Sequence, residues 1–243
     1  MATEALFRSD AYLQECMAIV TRIDDTGIAL DRTVFYPHGG GQAGDAGSLV
    51  LPDGARLAIA DTRKSKHPEA TPDDAVHLPA PGQEALLQTL VVGMPVAAQI
   101  DWTRRYRHMR FHTASHLMCA VLPYPVDGCS ITTEYARLDF VTNEPIARET
   151  VEAGLAALVA GAHPVTIDSI SDEELAARPE LVRTMSVKPP SGLGWVRLVN
   201  VEGVDLQPCG GTHVANTREV GPMRVAKIEK KTARTRRIVL ELA

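Results

Sequence analysis

Apolar and polar positions follow two different rhythms along this chain. Through the first hundred residues the apolar positions come in short runs rich in β-branched side chains, broken by glycine, proline or aspartate. Segments 17–23 and 27–34 are such runs, and Asp24, Asp25 and Gly27 between them supply a hairpin turn. Segments 49–51, 56–61, 75–78 and 95–102 continue the series. Strands this short, at this spacing, predict a small β-barrel. Pro68, Pro72, Pro79 and Pro81 argue against long helices in this part.

Beyond residue 100 the period changes. Segment 106–122 reads as a helix stopped by Pro123 and Pro125. Segment 134–141 alternates as a strand. Segment 147–162 places Val151, Leu155, Leu158, Val159 and Ala162 on one helical face. Thr142 or Asn143 is its expected cap, with Pro145 in its first turn. Segment 164–169 returns as a strand, and Ser171 with Glu174 forms a capping box for a short helix reaching towards Ala177. Segments 195–201, 224–230 and 236–242 read as late strands. This order predicts a sheet covered by helices on one side. The expected class is therefore α+β: an N-terminal small β-barrel with a glycine-rich motif over residues 1–100, then a two-layer α/β domain over residues 101–243.

Composition narrows the setting. Of 243 residues, 45% are apolar and 23% charged, which places the chain among soluble globular proteins rather than disordered ones. No stretch approaches the roughly 18 uncharged apolar residues of a membrane span, so no membrane partner is expected. Residues 1–10 lack the apolar core of a signal peptide. Cys16, Cys119, Cys129 and Cys209 form no CxxC pair and no disulfide framework, which fits a reducing cytoplasm. The net charge of −5 alone argues against a phosphate-rich partner. It is unevenly spread, however. Residues 102–110 hold Arg104, Arg105, Arg107 and Arg110 without an acid. Residues 224–237 hold seven basic side chains, among them Lys230, Lys231 and Arg234, against Glu229 alone. The remainder carries 14 basic and 29 acidic groups. Such runs are ordinarily solvated faces, and charge by itself gives them no partner.

Two motifs bear chemistry. His112 and His116, at i and i+4 of one helix, share a face and can grip one metal ion. The residue after His112 is threonine rather than glutamate, so the metalloprotease pattern with its built-in base does not apply. Cys209 and His213 flank Gly210, Gly211 and Thr212, and the glycines can turn the chain at positive φ so that thiolate and imidazole converge. Either pair alone has a bland explanation: a core histidine, or a glycine turn beside an incidental cysteine. Together they offer three nitrogens and one sulfur, a donor set that suits one zinc ion. An attacking Cys209 thiolate with a histidine base is the competing chemistry. The run Gly39-Gly40-Gly41-Gln42 lacks the ending of a Walker loop, and no helix follows it as in a dinucleotide fingerprint. It is either a plain turn or a place of close backbone approach.

Three blocks in this order, residues 39–47 (GGGQAGDAG), 107–117 (RHMRFHTASHL) and 209–213 (CGGTH), resemble the alanyl-tRNA editing family, free-standing proteins of the AlaX type related to the editing domain of alanyl-tRNA synthetase. Segment 128–140, with RLDF at 137–140, resembles the family's strand after the histidine helix. The resemblance spans roughly residues 35–240. It implies a hydrolase that deacylates alanine tRNA mischarged with serine or glycine. His112, His116, Cys209 and His213 would hold one zinc ion through which they act. Gly39, Gly40, Gly41, Gln42, Thr132, Thr133, Gly210, Gly211 and Thr212 would lie against the substrate. Arg104, Arg105, Lys230, Lys231 and Arg234 would meet tRNA phosphates. Val126 and Cys129 depart from the pattern, standing where glutamine and serine are usual. The alternatives are a deacylase for another mischarged tRNA, such as seryl-tRNA(Thr), and a non-catalytic zinc-stabilised RNA-binding module.

Overall fold

In the computed structural model, which describes residues 3–71, 73–183 and 194–243, six of the short apolar runs close on themselves. Pro72 lies outside the described residues. Round the barrel the order is Glu15–Asp24, Gly27–Leu30, Ala75–Pro79, Arg56–Lys64, Gly47–Val50 and Pro95–Ile100, each antiparallel to the next, and the last pairs with the first. Alternation explains the closure. Leu57 and Ile59 point inward, and a register shift between Ile59 and Asp61 then turns Thr62 inward in place of Asp61. Val20, Ile28, Leu30, Leu49, Val96 and Ala98 pack with them in the core. The hairpin expected around Asp24 and Gly27 is present, with Asp24 Oδ1 accepting from the Thr26 amide at 2.8 Å. One short helix, Glu84–Leu87, was not anticipated.

The last barrel strand ends at Ile100, and the next residue starts a helix. Asp101 Oδ1 accepts from the Arg104 amide at 3.0 Å, so the helix runs Trp102–Val121 and begins one turn before the expected residue 106. Arg105 falls in that extra turn and is fully buried. Its guanidinium pairs with Asp45 and donates to the carbonyls of Ala11 and Val34. The expectation that Arg105 meets a phosphate is corrected: burial without its carboxylate would be costly, and the pair serves the fold.

The class is α+β, but the later strands sort into two sheets where one was expected. The four-stranded sheet has the order Met223–Thr232, Thr235–Leu242, Ala136–Val141 and Val126–Ile131. The three-stranded sheet has Val165–Ser171, Trp195–Val201 and Asp205–Pro208. Val126–Ile131 and Asp205–Pro208 carry too little apolar alternation to announce themselves. Ser171 and Glu174 form the expected capping box. The helix Arg148–Ala160 buries Val151 and Leu155, yet neither Thr142 nor Asn143 caps it. Ala147 stands at that position, and Thr142 Oγ1 accepts instead from the Glu144 amide at 3.1 Å.

The chain divides into two compact units, one of Met1–Gly39 with Ala43–Tyr106, the other of Gly40–Gln42 with Arg107–Ala243. Among the described residues no helix is long and apolar enough to cross a membrane.

Candidate metal centre

Residues 111–119 of the Trp102–Val121 helix are buried on every side. Two of them, His112 and His116, stand one turn apart with ring centroids 5.6 Å from each other. The segment that follows the Asp205–Pro208 strand returns Cys209 and His213 to the same place. The donor atoms of His112, His116, Cys209 and His213 all lie within 4.8 Å of one another. Cys209 Sγ is 3.4 Å from Nε2 of His112 and 3.4 Å from Nε2 of His213. Neither Gly210 nor Gly211 adopts the positive φ expected of it. Gly211 is needed for space: a Cβ there would lie 2.1 Å from Cε1 of His112.

Each imidazole is held by its other nitrogen. His112 Nδ1 donates to Gln42 Oε1 at 2.7 Å, His116 Nδ1 to Asp205 Oδ2 at 2.9 Å, and His213 Nδ1 faces Thr113 Oγ1 at 3.2 Å. Asp205 is steadied in turn by Gln207 Nε2 at 2.8 Å, and Arg183 Nε lies 3.8 Å from its second oxygen. Occupied Nδ1 atoms leave the Nε2 lone pairs free to face a common centre, the arrangement in which histidines bind metals. Asp205, Thr113 and Gln207 escaped the sequence reading. Asp205 and Gln207 alternate inward on an unrecognised strand, and Asp205 meets His116 from 89 residues away.

The electrostatics show a coupled cluster, in which a metal would have to displace the extra proton held on His116. Burial opposes ionisation of Cys209, but the neighbouring imidazoles, His112 foremost, carry its thiol well below the usual range. Burial and the neighbouring His112 hold His213 well below the usual imidazole range. Burial also works against a charge on His116, yet the bonds to Asp205 and Cys209 push it up to about 10. Three imidazoles and a thiolate at these spacings fit a tetrahedral ion. Zinc–nitrogen and zinc–sulfur bonds of about 2.05 and 2.3 Å imply a sulfur-to-nitrogen edge of about 3.6 Å, close to the two 3.4 Å separations of Cys209 from His112 and His213.

The glycine-rich run makes its close approach within its own chain. Gly40 and Gly41 have φ of 58° and 84°, and a Cβ on Gly41 would lie 2.3 Å from Cys129 Sγ. The Ile131 amide donates to the Gly41 carbonyl at 2.8 Å, and Gln42 forms a parallel bridge with Ile131. Gly39 belongs to the barrel unit, where its carbonyl accepts from the Tyr36 hydroxyl at 2.7 Å. Thr212 is buried, and its hydroxyl accepts from Gln42 Nε2 at 2.9 Å. Thr132 Oγ1 accepts from the amides of Glu134 and Tyr135, both at 3.1 Å, and so shapes a turn. Thr133 bonds Glu134. Val126 is buried, and the Cys129 thiol, raised by burial, donates to the Gly40 carbonyl at 3.5 Å.

The cationic runs are largely spoken for. Arg104 donates to the Gly44 carbonyl at 3.0 Å. Lys231 and Arg237 pair with the buried Asp139 at 2.9 and 2.7 Å, Arg224 with Glu241, and Lys227 with Glu229. Lys230 and Arg234 are exposed and have no ion pair among the described residues.

Comparison with known proteins gives this geometry a context. The sequence matches the threonyl and alanyl tRNA synthetase second additional domain over residues 196–239 and the class II (A) tRNA synthetases over residues 4–104. An alanyl-tRNA editing protein AlaX-M of Methanosarcina mazei is 34% identical, over 99% of this chain and 96% of its own. One from Saccharolobus solfataricus is 34% identical over 97% of each. The alanine–tRNA ligase of Metallosphaera sedula is 33% identical over 94% of this chain, which spans 25% of the ligase.

Proposed function

The chain belongs to the alanyl-tRNA editing protein family, and from that premise we propose that it is an aminoacyl-tRNA deacylase that hydrolyses serine or glycine wrongly esterified to alanine tRNA. The observation that carries this reading is the buried convergence of His112, His116, Cys209 and His213, with every Nδ1 engaged elsewhere. The reaction cleaves the ester with water, releasing the free amino acid and the ribose hydroxyl. The need for it is physical. A pocket shaped for alanine discriminates against one hydroxyl or one missing methyl by only about 10–200-fold, so errors require a second sieve.

On this reading the four side chains hold one zinc ion. Zinc, if bound, would supply a positive charge that orients and polarises the aminoacyl end, and direct Lewis-acid contact would require one of the four donors to yield or the shell to expand. The rest falls to the protein. Asp205, Gln42 and Thr113 hold the three rings in the orientation that presents Nε2. The Cys209 thiolate serves as a ligand, not as a nucleophile. The Gly211 amide points at Cys209 Sγ at 3.4 Å, so on this reading a developing oxyanion takes its backbone donor elsewhere, from Gly210 or the glycine-rich run. Among the described residues, Lys230 and Arg234 belong to the exposed cations without an ion pair that could meet tRNA phosphates.

The test is a deacylation assay on the zinc-loaded protein with seryl-, glycyl- and alanyl-tRNA(Ala) and with seryl-tRNA(Thr). Seryl- or glycyl-tRNA(Ala) should be hydrolysed at least about tenfold faster than alanyl-tRNA(Ala). A preference for seryl-tRNA(Thr) would transfer the enzyme to the threonine system, whose synthetase shares the matched second additional domain. If no ester is released faster than in buffer, the enzyme reading is lost and a binding module takes its place.

A further inference from the structure

Gln42 is fully buried, and both ends of its amide are used. Oε1 accepts from His112 Nδ1 at 2.7 Å and from the Thr212 amide at 3.1 Å, while Nε2 donates to Thr212 Oγ1 at 2.9 Å. The Thr212 amide can only donate, so it fixes which end of the Gln42 amide is oxygen. That oxygen in turn fixes the proton of His112 on Nδ1 and frees Nε2. Gln42 therefore addresses both halves of the ligand set at once: the histidine helix through His112, and the Cys209-to-His213 turn through Thr212.

We infer that Gln42 is a positioning residue of the metal centre, which turns the glycine-rich run into a brace for His112 and Thr212. The inference rests on the metal reading above. The glycines supply the geometry. Gly40 and Gly41 take backbone conformations closed to other residues at little cost, and Gly41 passes Cys129 where no side chain fits. The Gln42 backbone is then pinned beside Ile131. With its main chain fixed on both sides, the Gln42 side chain reaches His112 without freedom to turn away.

The choice of an amide also grades the three histidines. His116 is backed by the Asp205 carboxylate, His112 by a neutral amide oxygen and His213 by a hydroxyl oxygen. A carboxylate behind an imidazole makes it a stronger donor to a metal than an amide does. A glutamate at residue 42 would keep both acceptor contacts but lose the donation to Thr212, and it would place a second negative charge behind the centre. An apolar residue would remove all three bonds and leave the His112 ring free to turn.

The test compares the full-length wild type with Gln42→Met, close in size but without hydrogen bonds, and with Gln42→Glu. Zinc affinity is read by competition with a chelator, and geometry by the visible absorption of the cobalt(II) form. Gln42→Met should bind zinc about 10–100-fold more weakly with displaced cobalt bands. If Gln42→Met does not fold, Gln42→Glu decides, and its cobalt bands should also move. Wild-type affinity and wild-type bands in the folded variant would overturn the inference, as would a lowered melting temperature with unmoved bands, which marks loop packing alone. A wild-type chain that takes up neither metal brings down the metal reading itself, before any variant is compared.

Discussion

His77 and His116 are both buried imidazoles, and their surroundings drive them in opposite directions. His116 lies against Asp205 and Cys209 and keeps its proton up to about pH 10 despite burial. His77 lies inside the barrel unit with only neutral partners, Thr33 Oγ1 at 2.8 Å and the Ile28 carbonyl at 2.9 Å, and burial lowers it to about 4. The unfolded chain therefore binds a proton at residue 77 more readily than the folded one between about pH 4 and its ordinary value of 6.5. Stability from this residue is complete above that window and is lost as pH falls through it, by about 2 kcal/mol at pH 5. Urea unfolding at pH 7 and pH 5 checks this, and His77→Gln should flatten the difference. The candidate ligands themselves were legible from spacing, since i, i+4 histidines must share a helical face. Asp205 and the engagement of Gln42 were not, because a hydrogen-bond partner 89 or 70 residues away leaves no local pattern.

At the scale of elements, the histidine helix shows why boundaries were the harder reading. A helix buried on every side between residues 111 and 119 has no amphipathic stripe to mark its start. The start is set by Asp101, which ends the barrel strand and caps the first turn through Oδ1. Asp101→Ala should cost about 1 kcal/mol in chemical denaturation while leaving zinc content unchanged, because the ligands sit more than two turns further on. Altered zinc content would mean that the cap also sets the rotation of the helix. Ser171 and Glu174 were readable because both halves of a capping box lie within one turn. Thr142 and Asn143 carried the same residue types but were drawn into a preceding turn. The barrel strands were visible through their period of two, whereas Val126–Ile131 is a strand chiefly because Ala136–Val141 pairs with it.

For the whole molecule, net charge was a poor guide, and even its distribution needed the fold to interpret. Of the two basic runs, Arg105 is consumed by Asp45, and Lys231 and Arg237 by Asp139. Lys230 and Arg234 remain exposed without an ion pair among the described residues. Neutralising both by Lys230→Ala and Arg234→Ala should weaken tRNA binding and lower the slope of log affinity against log salt by about 2. An unchanged slope would show that neither touches phosphate. The sequence by itself determined the barrel strands, the pairing of two motifs into one donor set, and the family. Each rests on short-range periodicity or on residue types whose chemistry is their own. Only the tertiary structure decided which cations are free, which glycine makes room for His112, and which side chains lock the rings. Those outcomes depend on groups far apart in the chain competing for the same buried partners, and burial makes an unmet partner too costly to leave.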